Sequence, residues 1–223
     1  MDIIIQARLS SKRLPKKVLL KVNDKPLLKY LIERLNRSKY KNRIIVATTL
    51  NKLDNSIEKF CKNEKVSCFR GNLTNVTKRY SNLIKEYKLK SFVRICADSP
   101  LIDPKIIDKA IELFKNKNDY DLVTNKFPRS YPVGQTVEVI KAETYLDSLS
   151  LIKTESEKEH VTLHMYNNAN KFKIKNFKNK FNMSKKILSI DNKVHFNRFK
   201  KYIKTNEGSY KNHSMNEILK IYK

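Results

Sequence analysis

The 223-residue chain contains no tryptophan, three glycines, six prolines and three cysteines. The glycines of a Walker-type loop are absent, which excludes the G-x-x-x-x-G-K-[ST] cradle that wraps phosphates in backbone. Cys61, Cys68 and Cys96 are odd in number and show neither a CxxC pair nor a metal-ligand spacing. This counts against a disulfide framework and leaves buried thiols as the expectation. No apolar run approaches the roughly 18 to 20 residues that a membrane helix needs. The opening MDIIIQARLSSKR has an apolar run far too short for a signal peptide, with its basic residues on the wrong side, so a cytoplasmic location without membrane insertion is expected.

Acidic side chains are also scarce, with 22 Asp and Glu against 48 Lys and Arg, for a net charge of +26. Such a charge suggests nucleic acid, a membrane surface or an anionic substrate as partner. However, the lysines are spread along the whole chain. Lys, Asn, Ile and Tyr all use A/T-rich codons, so genome composition stands as an alternative to a functional basic surface. No RNP-type aromatic cluster or helix-turn-helix spacing accompanies the charge, which makes nucleic acid an unfavoured partner.

With 40% hydrophobic residues the chain can build one globular α/β domain over residues 1–223. Ile3–Ala7 is an apolar run broken only by Gln6, as in a buried parallel strand. Leu27, Leu28, Leu31, Ile32 and Leu35 recur at helical spacing, with Pro26 as a first-turn residue. The spacing then predicts strand Ile44–Thr48, helix Leu53–Lys62, strand Ser67–Phe69, helix Thr74–Tyr87, strand Phe92–Ala97 and a helix opened by Pro104. This alternation implies a parallel sheet covered on both faces, which binds ligands at the carboxyl ends of its strands, where Arg8, Thr48, Arg70 and Asp98 fall. After residue 120 the alternation weakens. Leu122–Thr124, Val137–Ile140, Phe172–Asn176 and a last core strand at Ile187–Ile190 are expected, then a helix over Phe196–Lys204. About 125–180 reads as an excursion forming a lid or dimer contact.

Three segments carry chemistry. Ala7–Lys17 places the hydroxyls of Ser10 and Ser11, Arg8, Arg13 and several lysines directly after the first strand. A fork of guanidinium donors, a mobile ammonium and loop amides are what a triphosphate requires. In Arg94–Pro104, Asp98 ends a buried strand before a Pro-containing turn, a position suited to Mg²⁺ on phosphates, while Asp103 before Pro104 reads as a helix cap. Asp191, in Ser189-Ile190-Asp191-Asn192, either caps the next helix or completes a two-carboxylate metal site with Asp98. Three weaker signals remain. His160 and His164 stand four apart without HExxH or a third ligand, Asp119-Tyr120-Asp121 matches a DxD pattern that reads best as a solvated turn, and His195 belongs to no constellation.

IIQARLSSKRLPKKVLL, followed in order by KPLLKYLIERL, IIVATT, FRGN, VRICADSPLIDP, YPVGQTVEV, EKEHVT and LSIDN, resembles bacterial cytidylyltransferases of the spore-coat polysaccharide type, relatives of the CMP-KDO and CMP-sialic acid synthetases. The resemblance implies a nucleotide-diphosphosugar-transferase-like three-layer α/β sandwich with a mainly parallel mixed sheet, usually dimeric. It also implies transfer of CMP from CTP to a small acidic acceptor with release of pyrophosphate. By motif match, Arg8, Ser10, Ser11, Arg13, Lys17, Gly71, Arg79 and Arg94 form the nucleotide side. Asp98 and Asp191 would hold Mg²⁺, with Arg13, Lys17 and Asp98 as the catalytic set. Tyr131, Gly134, Gln135, Glu138 and His160 fall in segments that line the acceptor side in such enzymes. The chain departs from the pattern at Lys16 and Ala97, where glycine is usual, and at Gln135-Thr136, where Leu-Asp is usual.

Overall fold

The computed structural model describes residues 1–116 and 119–222. In chain order they form β1 (Asp2–Gln6), a short hairpin of β2 (Lys21–Val22) and β3 (Lys25–Pro26), α1 (Leu27–Leu35), β4 (Ile44–Thr49), α2 (Asn55–Asn63), β5 (Ser67–Gly71), α3 (Val76–Glu86), β6 (Ser91–Cys96) and α4 (Pro104–Lys115). The remainder comprises β7 (Leu122–Thr124), β8 (Glu138–Lys141), α5 (Ala142–Asp147), α6 (Glu155–Glu159), α7 (Leu163–Asn167), β9 (Ile174–Asn176), α8 (Lys193–Asn206) and α9 (Met215–Ile221).

Seven strands make one sheet in the order β5-β4-β1-β6-β8-β7-β9. Every neighbouring pair is parallel except those made by β8, which runs antiparallel to both β6 and β7. Because side chains alternate across a strand, the continuous apolar runs feed two separate cores. Ile3, Ile5, Val46, Val93 and Ile95 pack beneath α1, α4 and α8, while Ile4, Ile45, Phe92, Leu122 and Ile140 pack beneath α3 and α5. The result is the expected three-layer sandwich.

Local signals place the ends of the elements. Asp103 accepts from Lys105 N at 2.9 Å and Pro104 opens α4, as its position before proline predicted. Pro26 stands one residue before α1 at the cap, with extended backbone, rather than inside the first turn.

Two expectations need correction. Ile187–Ile190 forms no strand: Leu188 N donates to Val133 O and Ile190 N to Asp98 O, both at 2.8 Å. Leu188–Ile190 are buried while Ile187 is exposed, and the segment's hydrogen bonds go to two different loops, so no ladder forms. The segment 125–180 is also not wholly an excursion, because β8 and β9 belong to the main sheet. No helix among the described residues is long and apolar enough to cross a membrane.

Candidate active site

At the carboxyl end of β1 the chain alternates in and out: Ala7 and Leu9 are buried, Arg8 is half-exposed and Ser10 is exposed. The loop base is pinned by Asp54, a nearly buried carboxylate that accepts Leu9 N at 2.8 Å and the Thr49 hydroxyl. Lys16 N then returns to Leu9 O at 3.1 Å, and Lys16 itself adopts the left-handed conformation, with φ of 55°. This turn aims Lys17 back into the molecule.

Lys17 Nζ lies 3.2 Å from Asp98 Oδ2, 3.1 Å from Asp191 Oδ1 and 2.9 Å from Ile190 O. The two carboxylates, far apart in sequence, therefore converge on one cation. Arg13, exposed over 73% of its side chain, reaches the same Asp191 Oδ1 at 3.2 Å. Burial alone would raise the Asp191 pKa, but the Lys17 charge and hydrogen bond, with the Ser189 hydroxyl and Arg13, override it and hold the group below its ordinary value. Asp191 is not the cap of α8. That role falls to Asn192, which accepts from His195 N at 2.9 Å.

These groups open onto a cleft of about 760 Å³. Arg8, Ser10, Ser11, Arg13, Lys17, Asp98, Asp191 and His160, each singled out by the sequence, all line it. Arg8 is additionally held by Glu159 at 3.1 Å. Four basic side chains face three carboxylates in the lining, so the cleft has spare positive charge before any ligand enters.

The other expected site residues lie outside this lining. Arg94 gives Nε and NH2 to Gln6 Oε1 at 3.2 and 2.9 Å and pairs with Glu138 through NH1, so its donors are spent inside the sheet. Glu138, fully buried, also accepts from Thr162 at 2.7 Å and Tyr166 at 2.6 Å. Gln135 is fully buried too, its amide bridging Leu101 O and Asp103 N at 2.8 Å each. Gly134 has φ of 94°, and a Cβ there would meet Ser189 N at 2.5 Å, so the glycine admits the backbone leading to Asp191 rather than an acceptor. Tyr131 packs against Phe177 in the core, with ring centroids 5.7 Å apart. At Gly71 a Cβ would meet the Arg79 side chain at 2.7 Å, so its lack of a side chain serves helix packing. Arg79 itself is fully buried beneath the 72–75 loop, with NH1 donating to Asn72 O at 2.9 Å and with Nε and NH2 unpartnered among the described residues.

Sequence reasoning missed Gln6, Cys96, Thr74 and Glu159, which line the cleft, and His195, whose Nδ1 accepts Asp191 N at 3.3 Å. Gln6 carried a signal, being the one polar residue that breaks the apolar run Ile3–Ala7. Of the three thiols expected to be buried, Cys61 is, whereas Cys68 and Cys96 are only partly so. Cys96 stands at the end of β6, where desolvation pushes its pKa up despite the nearby Arg94. His160 and His164 do not share a helix: the first lines the cleft, while the second is buried against Glu157 at 3.2 Å. The DxD segment precedes β7, which runs parallel to β1 and β6, so it sits at the end of the sheet opposite the cleft. There Asp119 pairs with Lys141 at 3.0 Å, and Asp121 accepts from Thr144 and Lys173 N, as in a solvated turn.

A basic loop and two carboxylates gathered at the strand ends of this sheet are suited to transfer of a nucleotidyl group, and the cytidylyltransferase family matches residues 3–221. The chain belongs to the cytidylyltransferase family. The spore coat polysaccharide biosynthesis protein SpsF of Bacillus subtilis (strain 168) is 29% identical over 205 residues, covering 88% of this chain and 83% of that one. An uncharacterized protein of Methanocaldococcus jannaschii is 41% identical over 171 residues, 77% of this chain and 69% of that one. The structure of a cytidylyltransferase from Leptospira borgpetersenii serovar Hardjo-bovis superposes with a TM-score of 0.91 at 32% identity, covering 98% of this chain and 92% of that one. This cytidylyltransferase is thus a CTP-dependent nucleotidyltransferase built on the same α/β sheet.

Proposed function

We propose that the enzyme transfers CMP from CTP to an acidic sugar or related acidic metabolite, releasing pyrophosphate, with Mg²⁺ as cofactor and surface polysaccharide or glycoconjugate synthesis as the use. The observation that carries this reading is the convergence of Asp98 and Asp191 on the Lys17 ammonium, beside Arg8, Ser11 and Arg13.

In-line attack of an acceptor oxygen on the α-phosphorus of CTP needs no protein nucleophile. Positioning and charge neutralisation supply the catalysis. Arg8, Arg13 and the Ser10 and Ser11 hydroxyls hold the triphosphate, and Lys17 stabilises the charge that gathers on the departing pyrophosphate. The residues present fit Mg²⁺. Asp98 and Asp191 already converge on one cation, both retain exposed oxygens, and the absence of a third acidic ligand among the described residues suits an ion that takes its other ligands from phosphate and water. Bound by these two carboxylates, the ion supplies neutralisation of charge on the phosphate oxygens. Excess positive charge in the lining supports an acidic acceptor over a neutral one.

The test is pyrophosphate release across a panel of CTP, UTP, ATP and GTP, each with sugar acids, nonulosonic acids and polyol phosphates. Release with CTP and at least one acidic acceptor is expected. No release from CTP with any of them overturns the reading.

A further inference from the structure

Most of the cleft lining belongs to the nucleotide half, and of the residues expected on the acceptor side only His160 reaches it. The sheet register shows where the floor continues. Ile4, Arg94, Glu138 and Thr124 stand side by side in one row across β1, β6, β8 and β7. The next pair on that face, one step toward the cleft, is Gln6 and Cys96, and Thr136 and Lys126 stand two residues beyond the ladder ends of β8 and β7. Gln6 and Cys96 line the cleft, and the charges of Lys126 and Arg129 lie within electrostatic reach of Cys96, beside the cleft rather than in its lining. Arg129 joins Thr136 and Lys126: its NH1 donates to Thr136 Oγ1 at 3.0 Å, and an antiparallel bridge sets Arg129 opposite Lys126.

This shelf is rigid and positively charged. Fully buried Asn125 ties the loop together, giving Nδ2 to Gln135 O at 2.7 Å and accepting Val137 N at 3.0 Å. Phe127 stacks on Tyr166 at 4.9 Å, and Lys126 Nζ lies 5.4 Å from the centre of the same ring. Neither Lys126 nor Arg129 ion-pairs with a carboxylate among the described residues. The nearby Glu138 is already committed to Arg94, Thr162 and Tyr166. Arg129 is half-buried, and desolvation holds its pKa below the usual arginine value although Glu138, Tyr166 and Cys96 lie close enough to pull it up. A planar guanidinium with one N–H anchored and its other face unpaired is a fork for a carboxylate or phosphate.

We propose that Arg129, anchored by Thr136 and assisted by Lys126, is the residue that recognises the acidic group of the acceptor. The choice of ligand rests on the cytidylyl-transfer reading, and the experiment separates the two. The full chain, with and without a non-hydrolysable CTP analogue, is titrated with KDO, N-acetylneuraminate and ribitol 5-phosphate, following the Arg129 Nε–Hε cross-peak and the heat of binding. At least one probe is expected to shift that peak. Arg129→Gln and Thr136→Val, the latter removing the anchor of the guanidinium, should each weaken that probe about tenfold or more. Affinity for the CTP analogue should stay within about twofold, showing that both variants remain folded. The proposal is overturned if no probe moves the Arg129 peak, or if the variants weaken the CTP analogue as much as the probe. Because the readout is binding, absence of pyrophosphate release from CTP would overturn the proposed function without touching the Arg129 result.

Discussion

Two clusters of opposite charges sit at the same end of the sheet, and they differ in what remains unsatisfied. In the Arg94–Glu138 pair the carboxylate is fully buried and accepts three side-chain donors, while the guanidinium also reaches Gln6 and Cys96. In the Lys17–Asp98–Asp191 cluster the side chains keep 13%, 29% and 21% of their exposure. The dry cluster is saturated, so any change of partner leaves a buried charge alone. The wet cluster retains free lone pairs and can trade its internal bonds for a ligand's. The difference separates a closed polar network from one open to a ligand, although both are built from the same kinds of residue.

The largest effect is expected at Glu138. Glu138→Ala leaves Arg94 buried without its counter-charge and is expected to cost about 3 to 5 kcal/mol in urea unfolding. Burial alone would raise the Glu138 pKa, but the charges of Arg94 and Lys126, with the Tyr166 and Thr162 hydroxyls, hold it at about 2, against an ordinary 4.5. A depressed carboxylate stabilises the fold above its unfolded pKa and loses that contribution as pH falls through the folded one. About 3 kcal/mol should therefore disappear between pH 4.5 and pH 2. Retention of this acid dependence in Glu138→Gln would show that another group is responsible.

Lys17→Met probes the wet cluster. Turnover should drop on the order of 10² to 10³-fold, while unfolding free energy changes by about 1 kcal/mol or less. If stability instead falls as far as in Glu138→Ala, the distinction between the two clusters collapses.

The smallest effect concerns the turn that aims Lys17. Lys16 holds a left-handed backbone that a side chain disfavours, so Lys16→Gly should stabilise by about 0.5 to 1 kcal/mol with activity retained. A loss of stability would mean that Lys16 contributes a contact outweighing its backbone strain.

Much of the half from β1 to α4 is legible in the sequence. Apolar runs such as Ile3–Ile5 and Ile44–Val46 are buried on both faces and have no other explanation, and a basic loop directly after the first strand falls where such sheets bind ligands. The half after α4 is not. Period-two alternation says that Arg94 and Glu138 share a face, but not that Thr162 and Tyr166 cover that face. Gln135 lies in an open-looking Pro-Val-Gly-Gln turn, yet its amide is enclosed by the 101–103 loop. At Ile187–Ile190 hydrophobicity correctly signalled burial of Leu188 and Ile190, but a strand also needs one continuous partner, and the chain there meets two loops.

The residues alone determined the parallel β-α units, the basic loop of Arg8–Lys17 after the first strand and the candidacy of Asp98, because these depend on local propensity and on position after a strand. Tertiary structure decided which charges meet. Lys17 joins Asp98 across 81 residues and Asp191 across 174, and Arg94 finds Glu138 across 44. Contacts so distant follow from strand order and register rather than from any local pattern. The burial that closes one charged cluster and leaves the other open to a ligand is a property of the layers packed around them.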